Sequence, residues 1–465
     1  VSDNAERLAQ EDYVVLTPQT PAALEAAEAL LDRHIKGSLG PDWFTPLPDG
    51  SAALATPTID RLRDHQEVKE VVEELQAIDA MASVDLLNGA QMAGVLATVQ
   101  PPPPDESAKP PPARSHLWQR RAIRADEAIA FVRERGADPA TARIAQIDTG
   151  ATAHPEFTSD DDAESTRILW DQGHCFFEDA SPHDRLNYTG TPGHGTRVMS
   201  VISSATCGTV PGLSIVPLRS VTSSVFDLLP FAPSRVPPSL HFAAGEALES
   251  GKFMAAAEVV NISLGDPFDP RVTLCRAVDM CYEAGIVVVA VAGNIVRRVV
   301  FPARFSRTIA VGGATPFASG AGREEPRALR PWKGASRGPS VTISAPAEQI
   351  TRFNARARGK RAQPQFENAA ELGSGTSYAA AMTSAAAALW VALNRDRVDA
   401  LKAAGEGWKV VEAFRAALVG SALQPDVWDS KNYGAGVLDM AGLVAVPFDE
   451  AVAGVTRRTA AIEEG

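Results

Sequence analysis

The sequence predicts an α/β fold, a mostly parallel sheet with helices on both faces, preceded by a smaller α+β domain. Three observations carry this reading. Most of six strand candidates beyond residue 113 are continuous runs rich in β-branched residues rather than in-out alternations, which is how strands covered on both faces read. Helical patterns fall between several of them, and such alternation points to parallel strands joined by crossovers. Lastly, "PPPPDESAKPPPA" at 101–113 clusters prolines that forbid helix and sheet, so it reads as an extended linker reaching roughly 40 Å.

Before the linker, "YVVL" at 13–16 reads as a strand and "PAALEAAEALLDRH" at 21–34 as an amphipathic helix with proline in its first turn. A strand in "SAALATP" at 51–57, a helix in "TIDRLRDHQ" at 58–66 and a strand in "EVKEVVEEL" at 67–75 complete a β-α-β-α-β order. After the linker, the strand candidates are "RIAQID" ending at Asp148, "IVPLRSV" from 215, "VVNISL" from 259, "IVVVAVAG" at 286–293, "TIAVGG" from 308 and "SVTISAP" from 340. A helix is expected in "PRVTLCRAVDMCYEAG" at 270–285. Another is expected after the loop "GSGT", where "SYAAAMTSAAAALW" is apolar nearly all round and so reads as a buried helix.

With 465 residues, 45% hydrophobic and 22% charged, the chain is globular in composition and long enough for one large domain plus a smaller one. Its net charge of −13 disfavours nucleic acid as a partner, because phosphate binding needs a basic face. The longest apolar stretches fall short of the roughly 20 residues that span a bilayer, so a soluble protein without a transmembrane segment is expected. No charged and then apolar leader opens the chain, which starts at Val1. The four cysteines lack any C-x-x-C pairing. Cys275 and Cys281, in one helix, stand about 9 Å apart along its axis, too far for a bridge. Pairing of Cys175 with Cys207 is left open.

Three segments hold residues suited to acyl transfer: Asp148 in "IDTGATAHPEF", His194 in "GTPGHGTRVMSVI" and Ser377 in "GSGTSYAAAM". That chemistry needs a serine able to become an alkoxide, an imidazole to take its proton, and a carboxylate to fix the imidazole tautomer. Singly, each has a plainer reading. Asp148 suits a strand-end turn, or one half of an aspartic dyad for which no second D-T-G or D-S-G exists. His194 suits an ordinary loop, and Ser377 a helix cap. Together they stand at a strand's C-terminal end and a helix's N-terminal end, where an α/β sheet places its site.

In order along the chain stand "WQRRAIRADEAIAFV", "DTG", "GHGT", "NISLG", "VAGN", "FPARF", "SVTISAP", "GTSYAAA" and "YGAGVLDMAGLV". On these motifs the chain resembles the subtilisin-like serine proteases, from Trp118 to near Val444. The resemblance implies a serine endopeptidase working through an acyl-enzyme. Asp148 would orient the base, His194 would act as general base and then acid, and Ser377 would attack the scissile carbonyl. The Asn294 side chain would serve the oxyanion hole beside the Ser377 N–H. Ser263, Leu264, Gly265 and Gly293 would bind an extended protein or peptide substrate.

By the same resemblance, residues 1–100 correspond to an inhibitory propeptide of ferredoxin-like fold in contact with the catalytic domain, although 76–100 has no counterpart. The catalytic domain would run from 114 to 450, with 451–465 as a C-terminal tail. A secreted or periplasmic location is implied, with the cytoplasm left open. No cofactor is implied for the chemistry. The acidic run Asp160, Asp161, Asp162 and Glu164 has oxygens that suit calcium, but a solvated loop is the plainer reading. The basic run at 352–363 likewise reads as an exposed loop.

Two other readings stand beside this one: a maturation protease with a permanent partner-binding first domain, and a non-catalytic peptide-binding relative. The chain also departs from the family pattern. Arg197 stands at a usual histidine, Ile295 at a small or acidic residue, Ala347 at a glycine and Ala381 at a proline.

Overall fold

The computed structural model describes residues 12–18, 22, 25–27, 29–30, 44–46, 52–55 and 81–88 of the N-terminal part. It also describes residues 117–464, except 153, 158–166, 178–181, 183–192, 222–234, 266–271, 295–297, 317–325, 354, 358–363 and 367–370. The chain divides into two compact units. One is Val1–Ala113 with Leu228–Pro233 and Asn294–Val296; the other is Arg114–Asp227, Ser234–Gly293 and Arg297–Gly465.

In the first unit the described residues hold an antiparallel sheet of β1 (Asp12–Pro18), β2 (Phe44–Pro46), β3 (Ala52–Ala55) and β4 (Met81–Asn88), in the order β2-β3-β1-β4. Tyr13 pairs with Ala55 on one side and with Leu87 on the other, so β1 is central. Two of its strands are those expected at 13–16 and 51–57. The strand expected at 67–75 lies outside the described residues. Strand β4 falls in the segment for which the sequence offered no assignment.

The second unit opens with helices α1 (Trp118–Ala122) and α2 (Ala125–Glu134). Strands β5 (Arg143–Asp148), β6 (Arg167–Ile168) and β7 (His174–Cys175) follow, then helix α3 (His194–Ser203). Next come β8 (Ser214–Arg219), α4 (Val236–Ala243), β9 (Val259–Ile262), α5 (Val272–Glu283), β10 (Val287–Val291) and β11 (Ile309–Thr315). Strands β12 (Arg330–Pro331) and β13 (Ile343–Pro346) complete the sheet. Among the described residues these nine strands run in the order β12-β11-β10-β9-β5-β8-β6, with β13 on β11 and β7 on β8. Every pairing is parallel except β11 with β12.

Strands β8, β9, β10, β11 and β13 are buried at every residue, which is the physical meaning of their unbroken apolar runs. Helices α4 and α5 close one side, where Leu240, Phe242, Leu274 and Val278 join Val216, Leu218, Val260 and Ile262 in a single core. Helix α6 (Thr376–Leu393) closes the other, packed on β9, β10, β11, β13 and α3. Every residue of α6 except the last is buried. Among the described residues it is the one helix long and apolar enough to cross a membrane, whereas the sequence reading found no stretch of that kind. The difference is that alanine, serine and threonine, weakly apolar one by one, make up an 18-residue helix wholly enclosed by protein.

Of the run at 352–363, expected as a loop, residue 352 and residues 355–357 are paired strand, while 354 and 358–363 lie outside the described residues. Strand β14 (Ile350–Arg352) pairs with β17 (Glu371–Gly373), and β15 (Ala355–Ala357) with β16 (Pro364–Phe366). Its basic composition does not oppose pairing, because the ladder is made by backbone groups. The acidic run at 160–164 lies outside the described residues, as does the linker at 101–113.

The described part of the expected tail, 451–464, is bonded to the rest of the fold. Asp279 on α5 accepts from the amides of Ala461 (2.7 Å) and Ile462 (3.1 Å) and from Arg307 (2.8 Å). Arg307 also donates to the Arg458 carbonyl (3.0 Å), while Arg458 donates to Glu412 (3.1 Å), on the helix Trp408–Gly420. All four cysteines are buried thiols, so the pairing left open between Cys175 and Cys207 is not made.

Candidate active site

Strand β5 is where the sheet changes direction: β8 lies on one side of it and β9 on the other. In such sheets a crevice opens beyond the carboxyl ends of the strands at that point. Asp148 is the last residue of β5 and is fully buried. His194 is the first residue of α3, after Gly193 at φ 73°. Ser377 is the second residue of α6, after Gly375 at φ 156°. Both glycines stand in backbone conformations that side chains disfavour, and both release a helix directly into the crevice.

The three side chains meet. His194 Nδ1 lies 2.7 Å from Asp148 Oδ1, and His194 Nε2 lies 3.2 Å from Ser377 Oγ. With Asp148 ionised, the first contact fixes the tautomer: Nδ1 carries the hydrogen and Nε2 is left to accept one from the serine. His194 and Ser377 each remain 7% exposed whereas Asp148 is sealed, so the carboxylate is reachable only through the imidazole.

The frame around this line comes from the strand and the loop after it. The Thr149 amide donates to Asp148 Oδ1 (2.7 Å), the Gly195 amide to Thr149 Oγ1 (3.0 Å) and Gln146 Nε2 to the Gly195 carbonyl (2.7 Å). One residue on, the Thr152 amide donates to Thr196 Oγ1 (2.9 Å). A Cβ on Gly195 would collide with the Gly150 carbonyl oxygen, so glycine there lets α3 settle onto the β5 loop.

The start of α6 is held from below. The Gly375 amide donates to the Ala347 carbonyl (2.7 Å), the Gln349 amide donates to Ser374 Oγ (3.0 Å), and Trp118 Nε1 donates to the Gln349 carbonyl (3.1 Å). At a helix start the first four amides have no intrahelical carbonyl, and the helix dipole is positive there. The Ser377 N–H is one of these amides, and it can stabilise a developing oxyanion.

Ser263 touches the nucleophile candidate twice. Its Oγ donates to the Ser377 carbonyl (3.1 Å), and its own carbonyl accepts from Ser377 Oγ (3.3 Å). Leu264 turns into the core and Gly265 leaves room for Val300, so both have packing reasons for being there. Gly293 follows β10 at φ 109°, where a Cβ would sit 2.8 Å from Ser336 Oγ, and Asn294 comes directly after it. Sequence reasoning missed Gln146, Asn261 and Ser384, the last two bonded at 3.0 Å behind Ser263. For Asn261 the signal was the first letter of "NISLG"; for Ser384 there was only a serine in an alanine run.

Cys207 and Cys281 do not compete as nucleophiles. Burial pushes the Cys207 and Cys281 thiols up to about 12, so neither is a thiolate at neutral pH. Among the described residues no group of three or more His, Cys, Asp or Glu side chains could hold a metal ion.

Comparison with known proteins places this geometry in context. The sequence model described as Subtilase family matches residues 140–436. An alkaline protease of Alkalihalobacillus alcalophilus and another of Shouchella clausii are each 23% identical over 277 residues, covering 54% of this chain. The chain spans 64% of the length of each of these curated relatives. Among solved structures, a protease from Pseudoalteromonas arctica has a TM-score of 0.53 at 18% identity, covering 70% of this chain and 93% of that one. Fervidolysin from Fervidobacterium pennivorans, described as a keratinolytic enzyme related to subtilisin, has a TM-score of 0.53 at 17% identity, with coverages of 95% and 62%. At these identities the structural likeness bears on the fold.

Proposed function

Because the chain belongs to the subtilase family, we propose that it is a serine endopeptidase acting on protein or peptide substrates through an acyl-enzyme formed at Ser377. The observation that supports the reading most directly is the unbroken line from Asp148 through His194 to Ser377, at 2.7 and 3.2 Å, in the crevice of the sheet.

On this reading Ser377 Oγ attacks the scissile carbonyl as its proton passes to His194 Nε2. Asp148 then stabilises the imidazolium through Nδ1. The carbonyl oxygen gathers negative charge and is met by the Ser377 N–H and the Asn294 side chain. Removing one such donor costs about 2.7 to 4 kcal/mol of transition-state stabilisation, a magnitude that comes from subtilisin itself. Collapse of the intermediate returns the proton from His194 to the departing amine. A water activated by the same imidazole then releases the acyl group and restores Ser377. The backbone at Ser263–Gly265 and Gly293 would pair with the extended substrate, as strands add to a sheet edge. All reacting groups are protein groups, and the chemistry draws on no cofactor. The N-terminal unit would act as a propeptide that assists folding and inhibits the mature cleft.

Ser377→Ala tests this. The variant should fold as the parent does, with peptide hydrolysis and labelling by a fluorophosphonate both abolished. Labelling that survives the substitution would overturn the assignment of the nucleophile.

A further inference from the structure

Behind the reacting groups, four buried residues form a hydrogen-bonded chain that ends on Ser377. Ser384 Oγ donates to Asn261 Oδ1 (3.0 Å), Asn261 Nδ2 donates to Ser263 Oγ (3.0 Å), and Ser263 Oγ donates to the Ser377 carbonyl (3.1 Å). Ser384 and Asn261 are 0% exposed and Ser263 is 1% exposed. Ser384 lies seven residues beyond Ser377 on the same helix, close to two turns. The chain therefore leaves α6, crosses to the end of β9, and returns to α6 at the nucleophile.

The direction of these bonds follows from chemistry. A serine hydroxyl gives one proton and accepts from either side, so a chain of hydroxyls alone could run either way. In an amide the nitrogen only donates and the oxygen only accepts, so the orientation of Asn261, with Oδ1 toward Ser384 and Nδ2 toward Ser263, sets the direction. The Ser384 proton occupies Oδ1 and turns Nδ2 toward Ser263. Having received that N–H, Ser263 has one proton left to give, and the Ser377 carbonyl is the acceptor it reaches. The second lone pair of that carbonyl faces the amide four residues on, at Ala381, which a proline would lack. The Ser377 carbonyl is thus held by the helix on one side and by the strand on the other.

Resting on the reading of Ser377 as nucleophile, we infer that Asn261 and Ser384 are positioning residues that orient Ser377 through Ser263. The Ser263 carbonyl, 3.3 Å from Ser377 Oγ, competes with His194 Nε2 for the one Ser377 hydroxyl proton, so the placement of Ser263 governs the nucleophile at two points. The contact to be protected is His194 Nε2 to Ser377 Oγ, already 3.2 Å long. Neither Asn261 nor Ser384 touches the reacting atoms, and their loss slows chemistry rather than substrate binding.

The test measures fluorophosphonate labelling per folded molecule across pH, together with kcat, KM and Tm on a peptide substrate, for the full chain and three variants. Asn261→Asp keeps the shape but loses the amide donor. A protonated carboxyl still donates to Ser263, whereas an ionised one draws the Ser263 proton away from Ser377. Its labelling deficit against the parent should therefore widen as pH rises, reaching about tenfold or more, with KM unchanged. Asn261→Leu should show a deficit of similar size at every pH. Ser384→Ala, which removes one oxygen from a helix, should fold like the parent and show a smaller, pH-independent loss in kcat.

If the variants fold and label at the parent's rate at every pH, the inference is overturned. If both Asn261 variants fail to fold, Ser384→Ala decides it: an unchanged kcat overturns it, and a lowered kcat at constant KM supports it. A parent that neither labels nor cleaves would instead refute the proposed function.

Discussion

Between the start of α3 and the loop after β5 there is no room for a methyl group. A Cβ on Gly195 would collide with the Gly150 carbonyl and sit 3.3 Å from Asp148 Cβ. Gly195→Ala should push His194 away from Asp148, lowering kcat/KM by about a hundredfold through misplacement of the base. The same strain should lower stability by about 1–3 kcal/mol, read as a fall in the thermal unfolding midpoint. At this scale the sequence was informative wherever chemistry restricts the residue type. Asp148, His194 and Ser377 stood out as candidates because few side chains suit the chemistry proposed for them, and glycines beside them mark tight backbone. Asn261 and Ser384 did not, because they are 123 residues apart and their partnership exists only once β9 lies beside α6.

Helix α6 shows how an element holds a residue still. It buries every face, so Ser377 cannot move without displacing strands on one side and α3 on the other. Near its far end, fully buried Trp390 packs against Phe414 (5.6 Å between ring centres) and Phe448 (5.5 Å). Trp390→Ala should cost about 3–5 kcal/mol of stability through the cavity it leaves, measured by denaturant unfolding. The buried strands and this helix were legible because total enclosure demands unbroken apolar runs. The strand pairs β14–β17 and β15–β16 were not, because pairing is a property of the backbone while their sequence reads as solvated. Strand β4, "MASVDLLN", is short of the β-branched density that marks the others, which explains why it went unassigned.

At the scale of the whole chain, the proposed function asks one substance to serve two ends: a cleft that cuts extended peptide, and a first unit that is its temporary inhibitor. If that proposal holds, N-terminal sequencing of the active enzyme should find a new start within or near the proline-rich segment 101–113. Recovery of active enzyme with the first unit still covalently attached would favour a permanent accessory domain instead. The sequence suggests a break at 101–113 because proline clusters interrupt every regular structure, and that segment lies outside the described residues. The bonding of residues 458–462 was not visible there, since Asp279, Arg307, Glu412 and Arg458 meet only after α5 and the helix Trp408–Gly420 are packed.

The clamp on residues 458–462 has a bearing on how a protein with the proposed activity survives its own company. On that proposal the cleft takes chain that has come loose, and segments held by few bonds open first. The segment at 458–462 is stitched down: the amides of Ala461 and Ile462 are given to Asp279, and the Arg458 carbonyl to Arg307. Peeling it away would leave those carboxylate and guanidinium groups without the backbone they hold, a cost that rises with each bond broken. In a crowded preparation, neighbouring molecules would therefore find little slack chain there to digest.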